Sequence, residues 1–198
     1  MSIRKKTMLM LFVDYLLCIL IQLLGLFVLS WILKYSWGYP VYSIAFCLTF
    51  FGMQYSRVHN AADRAWKRKE IKPASEGLIM AAPLAIFNLL IILIYACMQG
   101  NIIPARDVVV TTLYSFPDDA PRVVTNVYLI DYITSGIRVW FGHLVGFLKT
   151  ETPAAFLLIS PAITVLACFL GYVAGRKKFY LSELIYKTQE KVKEKFNE

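Results

Sequence analysis

MLMLFVDYLLCILIQLLGLFVLSWIL, residues 8–33, is an unbroken apolar block with a single charged residue, Asp14, inside it. About 20 such residues cross the roughly 30 Å of hydrocarbon in a bilayer. No water there can bond to the backbone, so the peptide groups must satisfy one another within a helix. Arg4, Lys5 and Lys6 precede the block as they would in a secretory signal. The run is too long for a signal's apolar region, and no small-x-small cleavage pattern follows it. A lipoprotein site would need small residues before Cys18, where Leu16 and Leu17 stand. The block is therefore expected to persist as a first transmembrane helix.

Outward from this block the pattern repeats. Trp31, Lys34, Tyr35 and Trp37 form an aromatic and basic belt at its far end. The turn around Ser36 and Gly38 is short, so a second apolar stretch, 40–55, must return beside the first, with Pro40 in its first turn. Residues 57–72 are polar and basic, helical in composition until Lys72-Pro73 stops them. A third span is expected over 76–98, capped by Ser75 and kinked at Pro83. Residues 101–121 read as a hairpin or irregular loop with one β-like piece, 108–113. A fourth span covers 153–174, and a tail, 176–198, carries the pair Glu183 and Lys187 in the favourable i,i+4 order, predicting a cytoplasmic helix.

Residues 123–148 decide the topology. They are long enough to span yet contain Asp131, Arg138 and His143. Val123, Val127, Ile130, Ile137, Phe141, Leu144 and Leu148 recur in steps of three and four, with Asn126, Asp131, Ser135 and Arg138 mainly off that stripe. This is the pattern of an amphipathic helix lying in the outer membrane interface, broken at Gly136. Charge counting agrees: three Lys or Arg precede the first span, six lie in 57–72 and seven in 176–198, against four spread over 101–152 beside five acidic residues. Four spans place all three rich segments on the cytoplasmic side. A fifth would export the most basic segment of the chain.

The chain is 58% hydrophobic and 17% charged, with a net charge of +8. The cations sit at the ends of apolar blocks, which argues for anionic lipid head groups and against nucleic acid as their partner. Arg64, Lys67, Arg68, Lys69, Arg176, Lys177 and Lys178 are the expected lipid contacts. Cys18, Cys47, Cys97 and Cys168 lie far apart inside apolar blocks and read as small packing residues.

Asp14 is the most informative single residue, because a carboxylate at mid-span costs about 2.5–3.5 kcal/mol and faces protein rather than lipid. Cys18, Gln22 and Gly25 continue its face. Asp14, Gln22, Asn88 and Thr164 form a candidate intramembrane polar site, either a proton or cation path or a set of interhelical hydrogen bonds. Gly171 and Gly175, spaced as GxxxG beside Ser160, Ala167 and Cys168, predict close helix packing within the chain or between copies. His59 and Asp63, at i,i+4, could serve acid–base chemistry or bind a metal at the inner surface, and a solvated charged face is the blander account of them. The motifs of intramembrane proteases, metalloproteases, phosphatidyl-group transferases and P-loop enzymes are missing from the sequence. No cofactor is implied.

Tyr39-Pro40-Val41-Tyr42-Ser43, Tyr55 before a basic linker, Pro83, and Gly171-Tyr172-x-x-Gly175 before a basic tail together resemble small multi-pass membrane proteins of Gram-positive anaerobic bacteria. The resemblance implies the four-span layout with its outer amphipathic helix and implies no activity. The expected architecture is an all-α integral membrane protein, one membrane domain over residues 1–198. It would be a four-helix bundle in a bacterial cytoplasmic membrane, with both termini cytoplasmic. The expected role is a non-enzymatic structural or accessory component with a membrane-protein partner or a second copy. The alternatives are an oligomeric transporter or channel lined by Asp14, Gln22 and Asn88, and a surface enzyme using His59 and Asp63.

Overall fold

Apolar sequence becomes helix here, and the helices start and stop where side chains or left-handed residues satisfy their ends. The computed structural model describes residues 2–70, 72–105, 107–115, 123–148 and 152–178. Its elements in chain order are α1 (Ile3–Val28), α2 (Gly38–Lys67), α3 (Glu76–Gln99), β1 (Val109–Ser115), β2 (Val123–Tyr128), α4 (Leu129–Trp140) and α5 (Ile159–Arg176), with 3₁₀ turns at Gly142–Phe147 and Ala154–Leu158. Three segments, Ile3–Val28, Glu76–Gln99 and Ala154–Arg176, are helices long and apolar enough to cross a membrane. Only 28% of the apolar stretch of α1 is buried, so its outward surface is itself apolar. Leu9, Leu16, Leu20 and Leu24 are each more than half exposed. Water does not solvate such a surface; lipid does.

The boundaries of α1 differ from the sequence expectation at both ends. It begins five residues before residue 8, where the Ser2 hydroxyl accepts a hydrogen bond from the Lys5 amide in the manner of an N-cap. It ends at Val28 rather than Leu33, and the chain continues through three-residue turns in which Ile32 donates to Leu29, Tyr35 to Ile32 and Gly38 to Tyr35. Tyr35 and Trp37 stack there with ring centres 5.7 Å apart. α2 does not stop near Tyr55 but runs unbroken through the basic segment to Lys67. It closes with a Schellman pattern, Lys69 donating to Trp66 and Glu70 to Ala65, with Lys69 left-handed at φ 60°. Asn101 closes α3 in the same way at φ 58°. Pro83 lies inside α3, where it leaves the Ile79 carbonyl without its helical donor.

The largest departure concerns residues 123–148. The first six residues are a strand, paired antiparallel with β1 from Thr111↔Val127 to Ser115↔Val123, with a bulge near Val109. Val123, Val124, Thr125 and Val127 are β-branched, and a partner strand outweighs their helical periodicity. The helix proper is α4, started by Asp131, whose carboxylate accepts the Tyr128 amide at 2.9 Å. It ends at Trp140 rather than breaking at Gly136. Its apolar stripe is covered by protein: Ile137, Phe141 and Leu144 pack with Ile92 and Tyr95 of α3 and with Ala154 and Leu157. The expected interfacial helix over 123–148 is thus corrected to a hairpin strand, a short helix and a buried 3₁₀ turn. The tail from residue 179 onward lies outside the described residues, as do residues 116–122.

The chain packs as two compact units, each drawing on several helices. One comprises Met1–Asp14, Phe51–Leu84 and Ile163–Glu198, the other Tyr15–Phe50 and Ala85–Ala162, within the described residues. In the first, α5 lies directly on α2. A Cβ on Gly171 would stand 2.5 Å from the Tyr55 carbonyl oxygen, and one on Gly175 would strike the His59 carbonyl. Gly77 of α3 makes a similar approach, its hypothetical Cβ 2.7 Å from the Cys168 carbonyl oxygen. Small residues at these crossings let backbones meet, the packing that replaces hydrophobic collapse in lipid.

The second unit must solve a different problem, because its irregular backbone is buried at Gly142, His143 and Leu144 and half-buried on either side. Side chains supply the missing partners. Tyr15 donates its hydroxyl to the Trp140 carbonyl at 2.9 Å, Cys47 its thiol to the His143 carbonyl at 3.2 Å, and the Ser43 hydroxyl accepts the Gly146 amide at 2.6 Å. A backbone group left without a partner in an apolar medium costs several kcal/mol.

Candidate functional site

The polar residues singled out by sequence divide between the two units. Asp14 and Thr164 fall in the first, Gln22 and Asn88 in the second. Asp14 is 4% exposed, and both of its oxygens are taken by one residue: Arg57 donates from Nη2 to Oδ1 at 2.6 Å and from Nε to Oδ2 at 2.7 Å. This is the fork-on-fork geometry in which a guanidinium and a carboxylate bond most strongly. Thr164 is fully buried on α5.

A second carboxylate, not foreseen as a site, repeats the design. Glu76, 2% exposed at the start of α3, accepts from Arg4 Nε at 2.5 Å and Nη2 at 2.7 Å, and Lys72 approaches to 3.6 Å. Near it in the same unit, Gln54 spends both ends of its amide, donating to the Leu11 carbonyl at 3.4 Å and accepting the Cys168 thiol at 3.9 Å.

In the second unit Asn88 is fully buried and its Oδ1 accepts the Trp140 indole N–H at 3.0 Å. Trp140 also packs against Tyr15, ring centres 5.1 Å apart. His143, expected at an outer surface, is 1% exposed, stacked on Phe50 at 4.7 Å and 3.0 Å from the Ser160 hydroxyl. Burial lowers the imidazole's pKa, so the ring is neutral. The group of Tyr15, Asn88, Trp140, His143 and Ser160 therefore acts as a hydrogen-bonded core that holds α4 and its 3₁₀ turn in place.

The Nδ2 of Asn88 has no hydrogen-bond partner among the described residues, and Gln22, 3% exposed, has none there for either atom of its amide. It lines a cavity of about 80 Å³ with Tyr42, Arg138 and Gly142, and a Cβ on Gly142 would press on its Oε1. A buried amide without partners costs roughly 1–3 kcal/mol. Gln22→Met, which keeps the shape, is expected to be neutral or to raise the melting midpoint in detergent by a few degrees. A clear drop would mean that the amide is bound to something that Met cannot replace.

His59 does not lie on a solvated face. His59 is 7% exposed and stacked beside Tyr55 at 5.9 Å, while Asp63 accepts an ion pair from Lys67 at 2.7 Å. Among the described residues no three His, Cys, Asp or Glu side chains are placed to hold a metal ion. Of the expected lipid contacts, Arg64, Lys67, Arg68, Lys69, Arg176 and Lys177 are exposed, and Lys178 sits 3.4 Å over the Trp66 ring. No protein-family model matches the chain, and no curated protein or solved structure matches it.

Proposed function

We propose that the chain is a four-span protein of a bacterial cytoplasmic membrane. Both ends face the cytoplasm, and it serves as a non-enzymatic structural or accessory component of a membrane assembly. The observation that carries the reading is the commitment of Asp14. The one carboxylate suited by position to titrate along a transport path has both oxygens bonded to Arg57. A group so held fastens helices rather than facing a passing substrate.

The fourth span is α2. Its first half exposes Val41, Ile44 and Leu48, each more than half exposed, and carries no charge before Arg57. At 30 residues the helix is about 45 Å long, enough to cross the hydrocarbon and project its basic end beyond it. Three spans alone would place the six cations of 57–72 opposite the N-terminal ones; four place them together.

Single cysteines in a background lacking the four natural ones test the layout. Ser36→Cys is expected to react with an impermeant maleimide in intact cells, and Glu70→Cys and Lys177→Cys only after permeabilisation. If Glu70→Cys and Ser36→Cys reacted from the same side, α2 would not be a span. Extraction in mild detergent tests the role: a partner or second copy should co-purify, and a solitary monomer would overturn the accessory reading.

A further inference from the structure

The cations near the inner ends of α1 and α2 are not equivalent. Arg4 and Lys72 are matched by Glu76, and Lys67 by Asp63. Lys6, Arg64 and Arg68 have no carboxylate partner among the described residues. These three, with Arg57, line one cleft of about 200 Å³. Among the described residues no acidic side chain lines it.

Helical spacing builds the cleft from two stripes. Arg57, Asn60, Arg64 and Arg68 recur in steps of three and four along α2 and its C-terminal turn, facing Ile3, Lys6 and Met10 in the same steps on α1. Arg57 spends two of the guanidinium's five N–H groups on Asp14 and keeps the rest. Asp14 offsets the charge of Arg57, but the unmatched charges of Lys6, Arg64 and Arg68 around one concavity repel one another, and a bound anion relieves that repulsion. Arginine in particular matches phosphate oxygens with paired N–H groups. Ile3 and Met10 add apolar wall beside the cations, where a soluble anion would gain nothing and the glycerol and first methylenes of a lipid would.

We infer that this cleft is a binding site for the phosphate of an anionic phospholipid headgroup, held by Lys6, Arg57, Arg64 and Arg68. The inference rests on the four-span reading, which puts the cleft at the inner leaflet, where anionic headgroups add to the attraction of each cation.

The test is native mass spectrometry of the full chain in neutral detergent, titrated with phosphatidylglycerol, phosphatidylcholine or soluble glycerol 3-phosphate. Phosphatidylglycerol is expected to be retained at one site. R64Q/R68Q should weaken that retention by more than tenfold, while K69Q/K177Q, which removes the same charge outside the cleft, should change it by less than twofold. Equal loss in both double variants would reduce the cleft to part of a diffuse basic field and overturn the site. Equal retention of phosphatidylcholine would overturn anion recognition, and equal retention of glycerol 3-phosphate would overturn the lipid assignment. The two readings fail separately: a correctly inserted chain that does not discriminate among lipids sinks the site alone, whereas Glu70→Cys reacting from outside sinks the layout.

Discussion

Arg57→Ala is expected to destabilise the protein by about 3 kcal/mol, because it removes the guanidinium bonded to both oxygens of the buried Asp14 carboxylate. The figure is the lower end for removing one partner of a buried ion pair, since Arg57 keeps 36% of its side chain exposed while Asp14 keeps 6%. For a chain of this size that corresponds to a fall of roughly 6–12 °C in melting midpoint. The asymmetry of the pair sharpens the prediction. Asp14→Asn leaves a neutral amide that still accepts one bond, and Arg57 can turn its freed N–H groups to water, so that variant should cost about 1 kcal/mol. Arg57→Ala combined with Asp14→Asn should recover most of the loss, because the stranded charge is gone. Thermal denaturation in detergent, followed by the surviving monodisperse fraction, reads all three. If Arg57→Ala and Asp14→Asn were equally mild, the ion pair would not be what fastens α1 to α2, and the structural reading of Asp14 would lose its support.

That pairing was within reach of the sequence. Asp14 and Arg57 stand about equally far on either side of Ser36, and two helices joined by a short turn bring such residues opposite one another. A carboxylate costly to bury and an arginine at the matching depth form a specific expectation that reading each helix alone does not produce. Arg4 and Glu76 were not within reach in that way: a whole helix stands between their segments, so that no short turn announces their meeting.

The fold was legible in proportion to how far one period dominated each segment. Residues 76–99 and 154–176 are apolar all round, and their limits were readable to within a residue or two. Residues 123–128 satisfy both a helical stripe and a run of β-branched residues, and the tie is broken by residues 109–115, some distance earlier in the chain. For Gly142–Phe147, the apolar stripe says that one face is buried but not whether lipid or protein buries it. The answer lies in the polar groups that meet its backbone, Tyr15, Ser43 and Cys47, each of which reads in isolation as an ordinary residue of an apolar helix. Arg64 and Arg68 were foreseen as lipid contacts, but the cleft they share with Lys6 needed the two helices side by side.

Gly171→Ala should cost about 2 kcal/mol although it adds a single methyl group to a helix that would otherwise welcome it. The added carbon would stand 2.5 Å from the Tyr55 carbonyl oxygen and 3.2 Å from the Tyr55 Cα, and neither atom can move without α2 moving. α5 must therefore lift from α2, losing the many small dispersion contacts that hold helices together where water supplies no drive. Gly175→Ala meets the His59 carbonyl and, at 2.9 Å, the Ala62 Cβ, with the same result. The double variant should cost less than the two single costs added, since a helix already displaced has made room for the second methyl. Gly136→Ala is the internal control: it lies within α4 with nothing near its hypothetical Cβ, so alanine's better helix propensity should stabilise by about 0.8 kcal/mol. The comparison also separates two meanings of the GxxxG spacing. A glycine face used between copies would leave the melting of the isolated chain unchanged on substitution and shift only its oligomeric state in size-exclusion with light scattering. A face seated on α2 within one chain loses thermal stability at every protein concentration. If Gly171→Ala melted with the parent chain while Gly136→Ala gained its increment, α5 would not be seated on α2 as described.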